Sequence, residues 1–118
     1  MPSTSQRNSD RAVGFRIASI ALAALLLAQP PAAAAPRTHV MVIDKMKFGA
    51  APAGLRAGDR ITWINRDLFR HTATSKEGGF NVDLKPGARA TVIVRSAGAI
   101  AVICRYHPGM STTLKVAG

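Results

Sequence analysis

From His39 onward, apolar residues come in short runs broken by glycine, proline and polar turn residues, and no stretch keeps a helical spacing for more than a turn or two. The first run, His39 to Phe48, alternates imperfectly, with Val40, Val42 and Met46 set against polar neighbours, and it ends in a loop at Gly49 to Gly54. Leu55 to Ala57 reads as a short edge piece. Gly58-Asp59 turns into a clear strand, Arg60 to Asn65, and a polar loop with an apolar tip, Arg66 to Arg70, leads to a further strand at His71 to Thr74. Gly78-Gly79 and Pro86-Gly87 bracket Phe80 to Leu84. Ala88 to Arg95 and Ala99 to Cys104 read as neighbouring strands joined around Gly98. The second is almost continuously apolar, which places it centrally in a sheet, and Thr112 to Val116 closes the domain. Seven or eight strands in so short a chain predict an all-β fold, a Greek-key β-sandwich or flattened barrel.

The segment before these strands has a different character. Arg7, Arg11 and Arg16 precede an apolar run from Ile17 to Ala28, followed by a Pro- and Ala-rich stretch to Pro36. That is the pattern of a cleaved signal peptide, expected over residues 1–34 with cleavage after Ala34. The run is shorter than the roughly twenty residues that span a bilayer, so no permanent membrane span is expected after processing. Residues 35–118 then form one small domain with a modest core.

Without Arg7, Arg11, Arg16 and Asp10, this domain keeps 13 basic and five acidic side chains, a net charge of +8. The charges are scattered singly through strand-like segments and few aromatics lie between them, which argues against nucleic acid. No basic amphipathic helix favours a membrane surface. Of the three an acidic protein partner fits best, and a generally solvated basic surface with no dedicated partner is the plain reading beside it.

Candidate chemistry is concentrated in Cys104-Arg105-Tyr106-His107-Pro108-Gly109-Met110. A thiolate, an imidazole and a thioether, with one more imidazole from elsewhere, are the donors of a mononuclear copper electron-transfer site. Cys104 is the only cysteine, so it cannot form an internal disulfide, and an odd thiol in an exported protein calls for another role. A buried structural thiol is the plainer reading of a lone cysteine; His107 and Met110 following at two-residue gaps turn the reading toward ligation. These three residues end a core strand and form the tight loop after it, at one pole of the sandwich, where His71 at the start of its own strand can also lie. Pro108 stiffens that loop and Gly109 permits an unusual turn. His39, Met41 and Met46 read as strand residues, and His39 is not assigned to a metal.

Two motifs together carry a family resemblance. The stretch Gly58-Asp59-Arg60-Ile61-Thr62-Trp63-Ile64-Asn65-Arg66-Asp67, followed shortly by His71, resembles the segment that holds the first histidine ligand in plastocyanin-, pseudoazurin- and amicyanin-like cupredoxins. The Cys-x2-His-x2-Met loop is the short form typical of amicyanin. The resemblance implies a type 1 copper per chain, held by His71, Cys104 and His107 with Met110 as a weak axial donor. It also implies a hydrogen bond from Thr72, where the family often has Asn, to the loop of Cys104. Arg70 stands where the family commonly has proline, and Ile103 where an aromatic is frequent.

The implied function is not enzymatic. It is single-electron transfer between redox proteins in a bacterial periplasm, by a monomer whose partner presents acidic groups; a c-type cytochrome or a dehydrogenase fits. Arg70 and Arg105, each next to an expected ligand, place positive charge near His107, the expected point of electron entry and exit. The alternative is a periplasmic copper carrier or scavenger that delivers the ion to another protein, for which exposed, methionine-rich ligands are expected. A copper enzyme needs a second centre with further histidines, and His39 alone remains for it.

Overall fold

The computed structural model describes Gly14 and residues 34–118. The leader expected over residues 1–34 lies, apart from Gly14 and Ala34, outside the described residues. Among the described residues there are eight strands and no helix, and therefore no helix long and apolar enough to cross a membrane. In chain order they are β1 (Thr38–Asp44), β2 (Lys47–Phe48), β3 (Arg60–Asn65), β4 (His71–Ser75), β5 (Asn81–Leu84), β6 (Arg89–Ile93), β7 (Gly98–Ile103) and β8 (Ser111–Val116). One sheet runs β2-β1-β3-β6 and the other β5-β4-β7-β8, which is the expected sandwich. All pairings are antiparallel except β1 with β3.

The core between the sheets is built around Trp63 on β3, fully buried and flanked by Phe48 edge-on at 5.8 Å and by Phe80 at 6.0 Å. Offset and edge-on ring packing of this kind adds to simple burial. Met41, opposite Trp63 in the parallel ladder, and Ile43 complete the β1 contribution, with Leu84, Val102 and Leu114 facing them from the other sheet's strands.

Two sequence expectations change here. In β1 it is Met41 and Ile43 that are buried, whereas Val40 is 56% exposed and Met46 leaves the strand for the β1–β2 turn. Val40 to Ile43 is apolar without a break, so alternation could not select a face; the register against β3 does, by setting Met41 beside Trp63. β6 and β7 are not hydrogen-bonded neighbours, because Val94 to Ala97 carries the chain from one sheet to the other. β7 is central as expected, between β4 and β8. Leu55 to Ala57 makes only an isolated bridge, Arg56 to Ala117, although Leu55 itself is buried.

The N-terminal end of the domain is tied to the loop before β3 at Asp59, which is buried. Its Oδ1 accepts the Arg37 amide at 2.9 Å; its Oδ2 accepts the Arg56 amide at 3.0 Å and lies 2.9 Å from His39 Nε2. The Arg37 amide, then His39 and the Arg56 amide, hold this carboxyl down at about 2. A depressed carboxyl contributes stability that is present above its unfolded value, near 4, and is lost as pH falls through its folded value. Between about pH 4 and pH 2 the wild type should therefore lose stability faster than Asp59→Asn, which starts less stable. Urea unfolding across that window checks this, and parallel pH profiles for the two proteins would refute it.

Candidate metal centre

At one pole of the sandwich β4 and β7 pair only through Thr74 with Ile103 and Ser75 with Val102. Beyond these pairs side chains take over from the backbone ladder. The Thr72 amide donates to Cys104 Sγ at 3.4 Å, and the Arg105 amide donates to Thr72 Oγ1 at 2.8 Å, which is the cross-loop bond expected of Thr72.

Cys104 follows the last residue of β7, and its amide donates to the Met110 carbonyl at 3.1 Å, closing the base of the loop. Within the loop the Met110 amide donates to the His107 carbonyl at 3.1 Å, and Gly109 has φ +83°. Pro108 and Gly109 thus occupy the two central positions of a type II turn, which wants proline first and needs a positive φ second. That turn sets the distance from His107 to Met110.

His71 opens β4, fully buried and paired with Leu84 of β5. Its Nε2 donates to Asp67 Oδ2 at 2.7 Å, leaving Nδ1 as the free donor atom facing inward. Asp67 also accepts the Met46 amide at 2.8 Å on Oδ2 and the Leu68 amide at 2.8 Å on Oδ1. The His71 bond, then the Met46 amide, pulls the Asp67 carboxyl below the ordinary carboxylate range. The loop is fastened further by Asn65, whose side-chain amide donates to the carbonyls of Phe69 and Leu84 while its oxygen accepts the Asp67 amide.

The result is a triangle of donor atoms. Cys104 Sγ lies 3.4 Å from His107 Nδ1 and 3.8 Å from His71 Nδ1, and the two nitrogens are 3.2 Å apart. The point equidistant from all three is about 2.0 Å from each, close to the roughly 2.0–2.1 Å of a zinc–imidazole bond and a little under the roughly 2.3 Å of a zinc–thiolate bond. These residues therefore fit a metal ion. Met110 is buried at 7% exposure on the same loop, and His107 is only half-buried, with Phe69 edge-on to its ring at 6.5 Å. Leu68 beside it is 88% exposed, the apolar tip expected of this loop. His39 stands apart, held by Asp59.

A cupredoxin-like domain model matches residues 16–116. The chain belongs to the cupredoxin-like family. Amicyanin of Paracoccus versutus is 30% identical over 91 residues, covering 70% of this chain and 69% of that protein. An oxidized proline-to-alanine variant of amicyanin superimposes with a TM-score of 0.58 at 26% identity, over 67% of this chain and 81% of that one. A reduced Cu(I) form at pH 4 of a proline-to-glycine variant does so at 0.56, 26%, 67% and 81%. Amicyanin-like cupredoxins are copper electron carriers rather than enzymes, and this cupredoxin is of that kind.

Three residues around the centre carry roles that the sequence reading did not assign. In the sequence Asp67 belongs to a polar loop and ends the Gly58–Asp67 stretch of the family resemblance with no role of its own, although its place four residues before His71 is a usable signal. Met46 sits at the exposed β1–β2 turn and lines a groove with Met110 and Phe48. Asp83 on β5 accepts Arg70 Nε at 2.6 Å, so the Arg70 charge expected near His107 is already compensated. For the metal-free cupredoxin at mildly alkaline pH, the Asp67 bond predicts that His71 carries its proton on Nε2. Long-range proton–nitrogen NMR reports the tautomer, and a proton on Nδ1 would contradict the geometry.

Proposed function

We propose that His71, Cys104, His107 and Met110 hold one type 1 copper, and that the domain, residues 35–118, is exported to a bacterial periplasm after loss of the 1–34 leader and carries single electrons between redox proteins there. The observation that carries this reading is the donor triangle of one sulfur and two imidazole nitrogens. Thiolate and two imidazoles alone would also suit zinc; with the Met110 thioether on the same loop the set becomes that of a copper electron-transfer site. Copper held there would supply one-electron redox chemistry.

The protein's own part is to hold the donors still and dry. His71 and Cys104 are buried and their positions are fixed by Asp67, by the Thr72 amide and by the Cys104–Met110 backbone bond. Ligands anchored in this way need move little when the charge at the centre changes. His107, half-buried with the exposed Phe69 ring edge-on to it, offers the way out for an electron, and the exposed apolar pair Leu68-Phe69 suits brief contact with another protein. With Arg70 paired to Asp83, steering of an acidic partner falls to Arg105, which forms no ion pair among the described residues, and to the basic balance of the domain as a whole. A c-type cytochrome or a dehydrogenase with an acidic docking face fits such a surface.

A copper-delivery role has one observation in its favour, the exposed Met46 thioether beside the Met110 groove. The buried thiolate and first imidazole speak for retention instead.

Purified with copper(II), the mature domain should show an intense blue band that bleaches with ascorbate and returns on reoxidation, and Cys104→Ser should abolish it. A colourless protein holding copper(I) tightly would favour delivery and defeat the carrier reading. Reaction with an acidic redox partner should slow as salt is raised from low ionic strength past 0.1 M-scale screening, about one Debye length of 10 Å. A rate indifferent to salt would remove electrostatic steering.

A further inference from the structure

The residue immediately before each histidine of the centre is bound to the same carboxylate. Arg70 precedes His71 and its Nε donates to Asp83 Oδ1 at 2.6 Å; Tyr106 precedes His107 and its hydroxyl donates to Asp83 Oδ2. The Arg70 guanidinium also lies 5.9 Å from the centre of the Tyr106 ring, so the three side chains close on one another. Asp83 itself is fixed in the β4–β5 ladder opposite Thr72, one residue beyond His71. The two histidine-bearing segments belong to a strand and to a distant loop, 36 positions apart in the chain, and nothing in their covalent structure sets their separation. On the inner side they are joined by Thr72 to Cys104 and Arg105. On the outer side the joint is Asp83.

We infer that Asp83 is a positioning residue for the metal centre, a cross-link that sets the spacing of the His71 and His107 rings through Arg70 and Tyr106. This rests on the proposed ligand set. The arrangement does for this chain what proline before the first histidine does by backbone restriction in much of the family: it removes freedom from the residue before the ligand, here by side-chain bonds. Exposure supports a positioning role over a stabilising one. The Arg70 and Asp83 side chains are 51% and 37% exposed, and an ion pair in that setting adds little to folding. A bond between two segments that each carry a donor acts instead on how well the donors meet.

Four variants test it: Tyr106→Phe, Arg70→Gln, the two combined, and Asp83→Asn. Copper(II) affinity is read by competition with a chelator, the visible and electron paramagnetic resonance spectra of the loaded forms report the geometry, and urea unfolding of the metal-free forms controls for stability. Each single change should weaken copper(II) binding about tenfold, the low end for loss of a group supporting a ligand, and alter the spectra, while metal-free unfolding stays close to wild type. The combined variant should be little worse than either single one, because both act through one carboxylate. Unchanged affinity and spectra in Tyr106→Phe and Arg70→Gln would overturn the inference, as would a loss of metal-free stability in Asp83→Asn large enough to account for its weaker binding. A wild type that forms no blue centre overturns the ligand set and this inference with it, and is recognised before any variant is made.

Discussion

The centre depends on the point where β4 and β7 stop pairing. Two residue pairs hold the strands together, and past them the ladder opens by enough to admit a sulfur atom where a carbonyl would otherwise receive the Thr72 amide. Buried backbone donors must find partners, so this opening is possible only because Cys104 Sγ and Thr72 Oγ1 accept the two amides left over. The same atoms that satisfy the backbone thereby become fixed in place. Fold and site are joined at this one place: a longer β4–β7 ladder would remove the site, and a side chain without an acceptor at position 104 or 72 would leave an amide without a partner.

Around the opening, several local devices act against movement. The type II turn of Pro108 and Gly109 fixes the end of the Cys104–Met110 loop, and the Cys104–Met110 bond closes its base. The neighbouring β1–β2 turn places two non-glycine residues, Lys45 and Met46, at φ +51° and +62°, a conformation that costs about 1–2 kcal/mol per residue. Asp67 offsets part of this by accepting the Met46 amide with the same oxygen that receives His71 Nε2. Backbone strain of this sort persists where surrounding structure over-determines it, and here the group that holds the strained turn also orients a donor.

Much of this was legible from residue order, and the division has a physical basis. Strand count and strand limits follow from local signals, apolar runs and turn residues, and β3 agrees with its expected span, Arg60 to Asn65. Cys104, His107 and Met110 lie within seven residues of one another, so their proximity is covalent before it is tertiary. His71 needed the architecture, which set its strand at the same pole. What could not be read depends on pairing between distant segments. The buried face of β1 is chosen by Trp63 across a parallel ladder, and the separation of β6 from β7 by which sheet has room for each. Asp67 and Asp83 look like ordinary surface acids in the sequence, because the amide, phenol, imidazole and guanidinium they hold are brought to them only by folding.

Those acids also explain the electrostatics. The domain has five carboxylates, and four of them are engaged within the fold: Asp44 by the Lys45 amide, Asp59 by two amides and His39, Asp67 by His71 and two amides, and Asp83 by Arg70 and Tyr106. Negative charge is thus drawn toward acceptor duties, leaving the lysines and arginines as the main source of the outer field. A basic surface is then partly a by-product of how the sandwich satisfies its amides, and it acts over the whole molecule instead of marking a single docking spot. The feature that singles out one pole is apolar: exposed Phe69, edge-on to the half-buried His107 ring, and its exposed chain neighbour Leu68. In the proposed function, charge would bring an acidic partner near and orient it loosely, while the apolar residues at this pole would select the face across which the electron passes. The two tasks fall to different residues, so each can change without the other.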